Sequence, residues 1–218
     1  DQVSALTTAQ VGTLDTAQVK AITTTAVAAM TTAQLASMST TQVNALTTGQ
    51  MAALTASEAK AFSTSQVQAL SSTQVNALTN ANVAALTTTQ VASLTTGQVT
   101  GLSTAAASSL GTAQVQALST SDIARLSTTQ LTAMRGDQIA ALTTDHVAIL
   151  DTTKIQSLTT SQIRALTVTQ IPELTTGQIS KLTTSQLAAL SSTQVGALTT
   201  TQISALTATQ LYGLFSRS

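Results

Sequence analysis

Apolar residues recur along this chain on two interleaved eight-residue series. One runs from Leu6 to Leu214 and holds leucine except at Ile22, Met30, Met38, Phe62 and Met134; the other runs from Val3 to Leu211 and holds Val, Ile or Leu except at Met51, Ala59 and Ala107. Neither contains an insertion or a deletion. Counted from the residue after each leucine, the repeating unit is Thr-Thr-small-Gln-Val-x-Ala-Leu, as in Thr87-Thr88-Thr89-Gln90-Val91-Ala92-Ser93-Leu94. A register held over the whole length predicts one continuous repeat array over residues 1–218, with no linker or domain boundary.

Each octad carries its own helix-start signal. In Thr-x-x-Gln the hydroxyl can accept from the amide three residues on, while the Gln side chain reaches back to the cap's own amide. Of the 26 cap positions from Thr7 to Thr207, all are Thr, Ser or Asp except Gly111 and Arg135. The partner position is Gln in 20 of 27 places, the departures being Ala26, Glu58, Asn82, Ala106, Asp122, His146 and Lys154. A new start every eight residues limits each helix to about six or seven residues, less than two turns. Such a helix is unstable alone, so stability has to belong to the array.

At about 100° per residue, Val91 and Leu94 share one edge and face inward. The columns of Thr89 and Ser93 are kept small, which fits close approach of neighbouring helices. The columns of Thr88 and Ala92 tolerate Lys20, Lys60, Gln116, Arg164 and Tyr212, and are expected to face solvent. The predicted fold is therefore an all-α solenoid, a superhelix of about 26 very short capped helices whose handedness and number of octads per turn the sequence does not fix. A β-solenoid competes, because Thr and Val favour strands. It would put Val and Leu, three apart, on opposite faces, and leaves the Ala and Gln enrichment without a reason. Pro172 is the awkward residue for the helical reading, since it removes a bond at the fifth helical position; a shortened or 3₁₀-like turn would absorb it.

Formal charge is zero and 7% of residues are charged, none of them between Ala61 and Ser121. That argues against nucleic-acid binding, which needs a basic stripe to neutralise phosphates. It also removes the usual protection against self-association. The absence of cysteine excludes disulfides and thiolate chemistry and suits an exported chain. The apolar runs are too short for a transmembrane helix. The chain opens in mid-octad at Asp1 without a polar capping repeat, as expected of a mature product or a piece of something larger.

The only histidine, His146, lies near Asp145 and Asp151, where a metal or acid-base site can be imagined. The preferred reading is that His146 stands in the Gln column and Asp151 in the cap column, both as variants of the repeat, and a lone His supplies no ligand cluster. No paired carboxylates, nucleophile motif or phosphate loop is found, so no catalytic, cofactor or metal residues are assigned and no enzyme is expected. Ten of the sixteen charged residues fall between Asp122 and Lys181. They read as drift on the solvent face before they read as a binding patch. The remaining candidate is a surface ladder of threonines, Thr8, Thr16, Thr24, Thr32, Thr40, Thr48, Thr88 and Thr96, in a column that holds Thr in 19 of 26 places. It could order water against ice, carry glycans or contact carbohydrate; Thr is also simply common in the first turn of helices.

The Thr-Thr-x-Gln-Val/Ile-x-Ala-Leu octads from Val3 to Leu214 resemble the tandem tracts of large bacterial secreted and cell-surface repeat proteins, some of them adhesin-like. The resemblance implies an extracellular or cell-surface location and a structural role as a stalk, spacer or fibre-forming segment. The expected partner is a further copy of the chain, end to end or side by side, with a carbohydrate or ice surface as the alternative. No site residues follow from the resemblance, since the octad contains only structural positions.

Overall fold

In a computed structural model, which describes residues 3–215, the chain forms 25 α-helices of four to eight residues and a single 3₁₀ turn, and no strand occurs among the described residues. The helices start where the octads start. Thr7, Asp15, Thr31 and Ser39, for example, cap α1 (Thr8–Gly12), α2 (Thr16–Ala21), α4 (Thr32–Ser37) and α5 (Thr40–Ala45), and each cap oxygen accepts from the amide of the Gln three residues on.

What ends most of the helices is the residue that the pattern places inside. At the end of α5, Leu46 turns extended with φ −59° and ψ 135°, and its amide makes a short bond to the Val43 carbonyl at 3.2 Å. The next residue, Thr47, is also extended, with φ −74° and ψ 160°, and already caps α6 (Thr48–Ala53). Two extended residues therefore re-aim the chain. Among the described residues none has a positive φ, glycines included, so the joint demands no special residue.

The chain divides into two compact units, Asp1–Ala117 and Leu118–Ser218. The division falls inside an octad, where the eight-residue register of the sequence runs on. In each unit a helix packs on the third helix after it. In the first unit α1 lies on α4, α2 on α5, α8 (Thr64–Ala69) on α11 (Thr88–Ala92), and α9 (Ser72–Ala77) on α12 (Thr96–Gly101). In the second, α17 (Gly136–Ala141) lies on α20 (Thr160–Ala165), and α22 (Thr184–Ala189) on α25 (Ala208–Phe215). Helix-to-helix stacking thus recurs every three octads.

The Val/Ile and Leu columns form the core: Val43, Leu46, Val91, Leu94, Ile163 and Leu166 are all buried. The Thr88 and Ala92 columns are largely exposed. The two small columns behave differently from one another. The Ser93 column is mostly half-buried because it meets the Thr88 column of the helix it stacks on; a Cβ on Gly101 would come within 2.9 Å of the Ser72 Cβ, and one on Gly136 within 3.2 Å of the Ala165 Cβ. The Thr89 column, by contrast, is open to solvent. Its small residues are not needed for close packing, which corrects half of the expectation drawn from its composition.

Pro172 sits where the sequence predicts trouble, and its octad forms the 3₁₀ turn Ile171–Glu173 in place of an α-helix. The Thr167 carbonyl still accepts from the Ile171 amide at 3.1 Å, and the Glu173 amide finds the Gln170 carbonyl at 3.2 Å. The capping pair survives too, with Thr167 and Gln170 bonded both ways at 2.7 and 3.2 Å.

Candidate functional site

The most specific chemistry in the molecule belongs to the Gln column. Gln98 shows the pattern: its Oε1 accepts from the Thr95 amide at 2.7 Å, and its own amide bonds the Thr95 hydroxyl at 3.3 Å. This much is the capping box. Its Nε2 then donates to the Val67 carbonyl at 2.7 Å and the Leu70 carbonyl at 2.6 Å, 31 and 28 residues earlier. The same reach recurs from Gln42 to Val11 and Leu14, from Gln50 to Val19 and Ile22, and in the second unit from Gln178 to Val147 and Leu150.

The acceptors lie at the C-terminal end of a helix: the Val67 carbonyl also accepts from the Leu70 amide at 3.2 Å, and the Leu70 carbonyl lies beyond the last helical bond. One side chain therefore satisfies the start of its own helix and the end of one in the turn before. From Gln34 onward the glutamines of the column are buried, Gln98 being 2% exposed and Gln138 0%, whereas Gln10 and Gln18 are exposed. Sequence reasoning found the first half and missed the second. The signal was available in the choice of Gln, since Glu serves a capping box as well yet appears only at Glu58.

The departures sort by which half they keep. Asn82 is one methylene shorter and holds only the Leu54 carbonyl, at 3.0 Å. Ala26 and Ala106 keep the hydroxyl cap alone. Glu58 accepts from the Thr55 amide at 2.6 Å but has no N–H to offer the turn before. Lys154 turns to Asp151, whose carboxyl the ammonium holds below the usual carboxylate range. At the cap, Arg135 has no acceptor to give; its guanidinium pairs with Asp137 at 3.1 Å and lowers the pKa of that carboxyl.

His146 keeps the capping half. Its Nδ1 accepts from the Thr143 amide at 3.3 Å, and the Leu118 carbonyl, 28 residues back, acts on the ring to favour its protonated form. Among the described residues no group of three or more His, Asp or Glu is placed to hold a metal ion. Among the described residues no helix is long and apolar enough to cross a membrane.

The threonine ladder lies outside. Thr8, Thr16, Thr24, Thr32, Thr40, Thr48 and Thr88 are exposed and Thr96 is half-buried. Stacking by threes places Thr8 and Thr32, and Thr16 and Thr40, on stacked helices, whereas Thr8 and Thr16 lie on helices that are not stacked on one another. Thr16 and Thr40 line a groove of about 410 Å³ with Lys20, Thr41 and Asn44, where the Asn44 side chain donates to the Ala69 carbonyl at 2.8 Å. Between Asp122 and Lys181 most charged side chains are exposed, Asp122 being buried in the Gln column and Lys154 half-buried.

A family model described as the ALTTAQ repeat matches the chain five times, over residues 1–32, 27–56, 60–88, 119–152 and 173–208. Comparison with curated proteins gives no match.

Proposed function

Because the chain belongs to the ALTTAQ repeat family, whose octads here are given over to capping and stacking, we propose that it is a non-enzymatic structural array that sets a length by counting octads. The observation that carries this reading is the Gln column. Its two-ended bonding uses the buried carboxamide of the Gln-bearing octads for structure and leaves a surface of hydroxyls and methyls.

We place the protein outside a bacterial cell or on its surface, as an exported stalk or fibre-forming segment. A chain without cysteine suits that route. A neutral flank offers little charge repulsion between copies, and repeat units of one kind invite continuation of the stack. The second reading is a carbohydrate- or ice-binding surface built on the exposed threonines, favoured by the hydroxyl-lined groove at Thr16 and Thr40.

Sedimentation equilibrium and solution scattering over a hundredfold concentration range test the first reading. The expected result is an apparent mass that rises with concentration, with elongated particles. A fixed monomer mass throughout would remove assembly and leave the spacer. Thermal hysteresis, or retention on a glycan array that is lost when Thr16 and Thr40 are changed to Val, would instead establish the second reading.

A further inference from the structure

His146 is the one side chain in the Gln column that can change its hydrogen-bonding character near neutral pH, in a chain with no other histidine and no cysteine. It is 3% exposed. In the neutral ring the Nδ1 lone pair accepts from the Thr143 amide, and the opposite nitrogen carries the hydrogen. The neutral imidazole so imitates Gln, with one acceptor and one donor at opposite ends. The imidazolium cannot, because both of its nitrogens are donors.

We propose that His146 is an acid-sensitive cap: a proton taken up on Nδ1 removes the acceptor of the Thr143 amide and loosens the start of the octad 143–150. Two N–H groups would then face one another across 3.3 Å. The far end of the octad stays held, since Gln178 bonds the Val147 and Leu150 carbonyls at 2.9 and 2.6 Å. Loosening is confined to the first turn of α18 (Thr144–Ala148).

The charges around the ring are few. Asp145 lies on its own helix; Asp122 and Arg125 belong to α15 (Thr120–Arg125), and Glu173 to the 3₁₀ turn, the elements packed against α18. Burial holds the His146 pKa below its ordinary 6.5, against the Leu118 carbonyl, Asp145 and Asp122, which favour the cation. The sign follows: between the two values the unfolded chain binds more protons than the folded one. The contribution of His146 is thus complete above pH 6.5 and is lost as the pH falls through the lower, folded value.

The test is amide exchange on the full chain by NMR between pH 7.5 and 5, with the Thr175 amide, which bonds Gln178 Oε1 at 2.6 Å, as internal reference. After correction for intrinsic rates, exchange at Thr143 is expected to rise several-fold relative to Thr175, following a His146 ring titration with its midpoint below 6.5. In His146→Gln, which keeps a donor and an acceptor, the ratio is expected to stay constant. A midpoint at or above 6.5, an unchanged ratio in the parent chain, or a rise that persists in His146→Gln would each overturn the proposal.

Discussion

Gln98→Glu is expected to cost about 3 kcal/mol in urea unfolding at pH 7, more than Gln98→Ala at the same position. The ordinary rule for capping boxes says otherwise, since Glu at the third helical position is as good a partner as Gln. The difference lies at the far end of the side chain. Glutamate would keep the bond to the Thr95 amide but set a carboxylate oxygen where Nε2 now lies 2.7 and 2.6 Å from two carbonyls, in a site 2% exposed. Alanine only removes bonds from the Thr95 amide and the Leu70 carbonyl, while the Val67 carbonyl keeps the Leu70 amide. The converse follows for two positions where the chain itself lacks the amide. Glu58→Gln would present an N–H to the Met30 carbonyl 28 residues earlier, and Ala106→Gln one to Val75 and Leu78. Both are expected to raise the unfolding midpoint. A Gln98→Glu variant as stable as the parent would show that the column caps helices and does nothing more.

The second large effect concerns register. Removal of the whole octad Thr87–Leu94 keeps every later Gln 28 and 31 residues from a leucine and a valine-column carbonyl, so the shortened chain is expected to melt within a few degrees of the parent. Removal of Thr87–Gln90 alone leaves four residues that belong to no column. The Gln98 and Gln114 bonds to Val67, Leu70, Val83 and Leu86 then lose their spacing. A fall in melting temperature of about 5–10 °C is expected, corresponding to a loss of roughly 2–3 kcal/mol in a chain of this size. Circular dichroism melts of the two deletions decide it. Equal melting temperatures would mean that the octads fold independently of their spacing.

What could be read from the amino acids was whatever depends on near neighbours. The caps at Thr7 or Ser39 and the inward columns at Val43 and Leu46 involve separations of three or four residues, where helix geometry is fixed in advance. Pro172 was legible for the same reason: its missing N–H acts within its own turn. The Gln98 bond to Leu70 was not, because a separation of 28 residues acquires meaning only once the number of octads per turn is known. The Thr89 and Ser93 columns look alike in composition, and only the direction of stacking distinguishes the half-buried one from the exposed one. Seven of the eight ladder threonines are exposed and Thr96 is half-buried; their grouping by threes again depends on the coil. Nor does anything in the octads near Ala117 announce the division into two units.

The direction of the glutamine bonds bears on how such a chain comes into being. Every Nε2 bond described above points toward the N-terminus, from Gln42 to Leu14, from Gln98 to Leu70, from Gln178 to Leu150. A ribosome releases the acceptors before the donors. Each octad that emerges meets carbonyls already in place and waits for nothing still to be translated, so the nascent chain can consolidate behind the exit tunnel one octad at a time, with contacts that never reach far along the sequence.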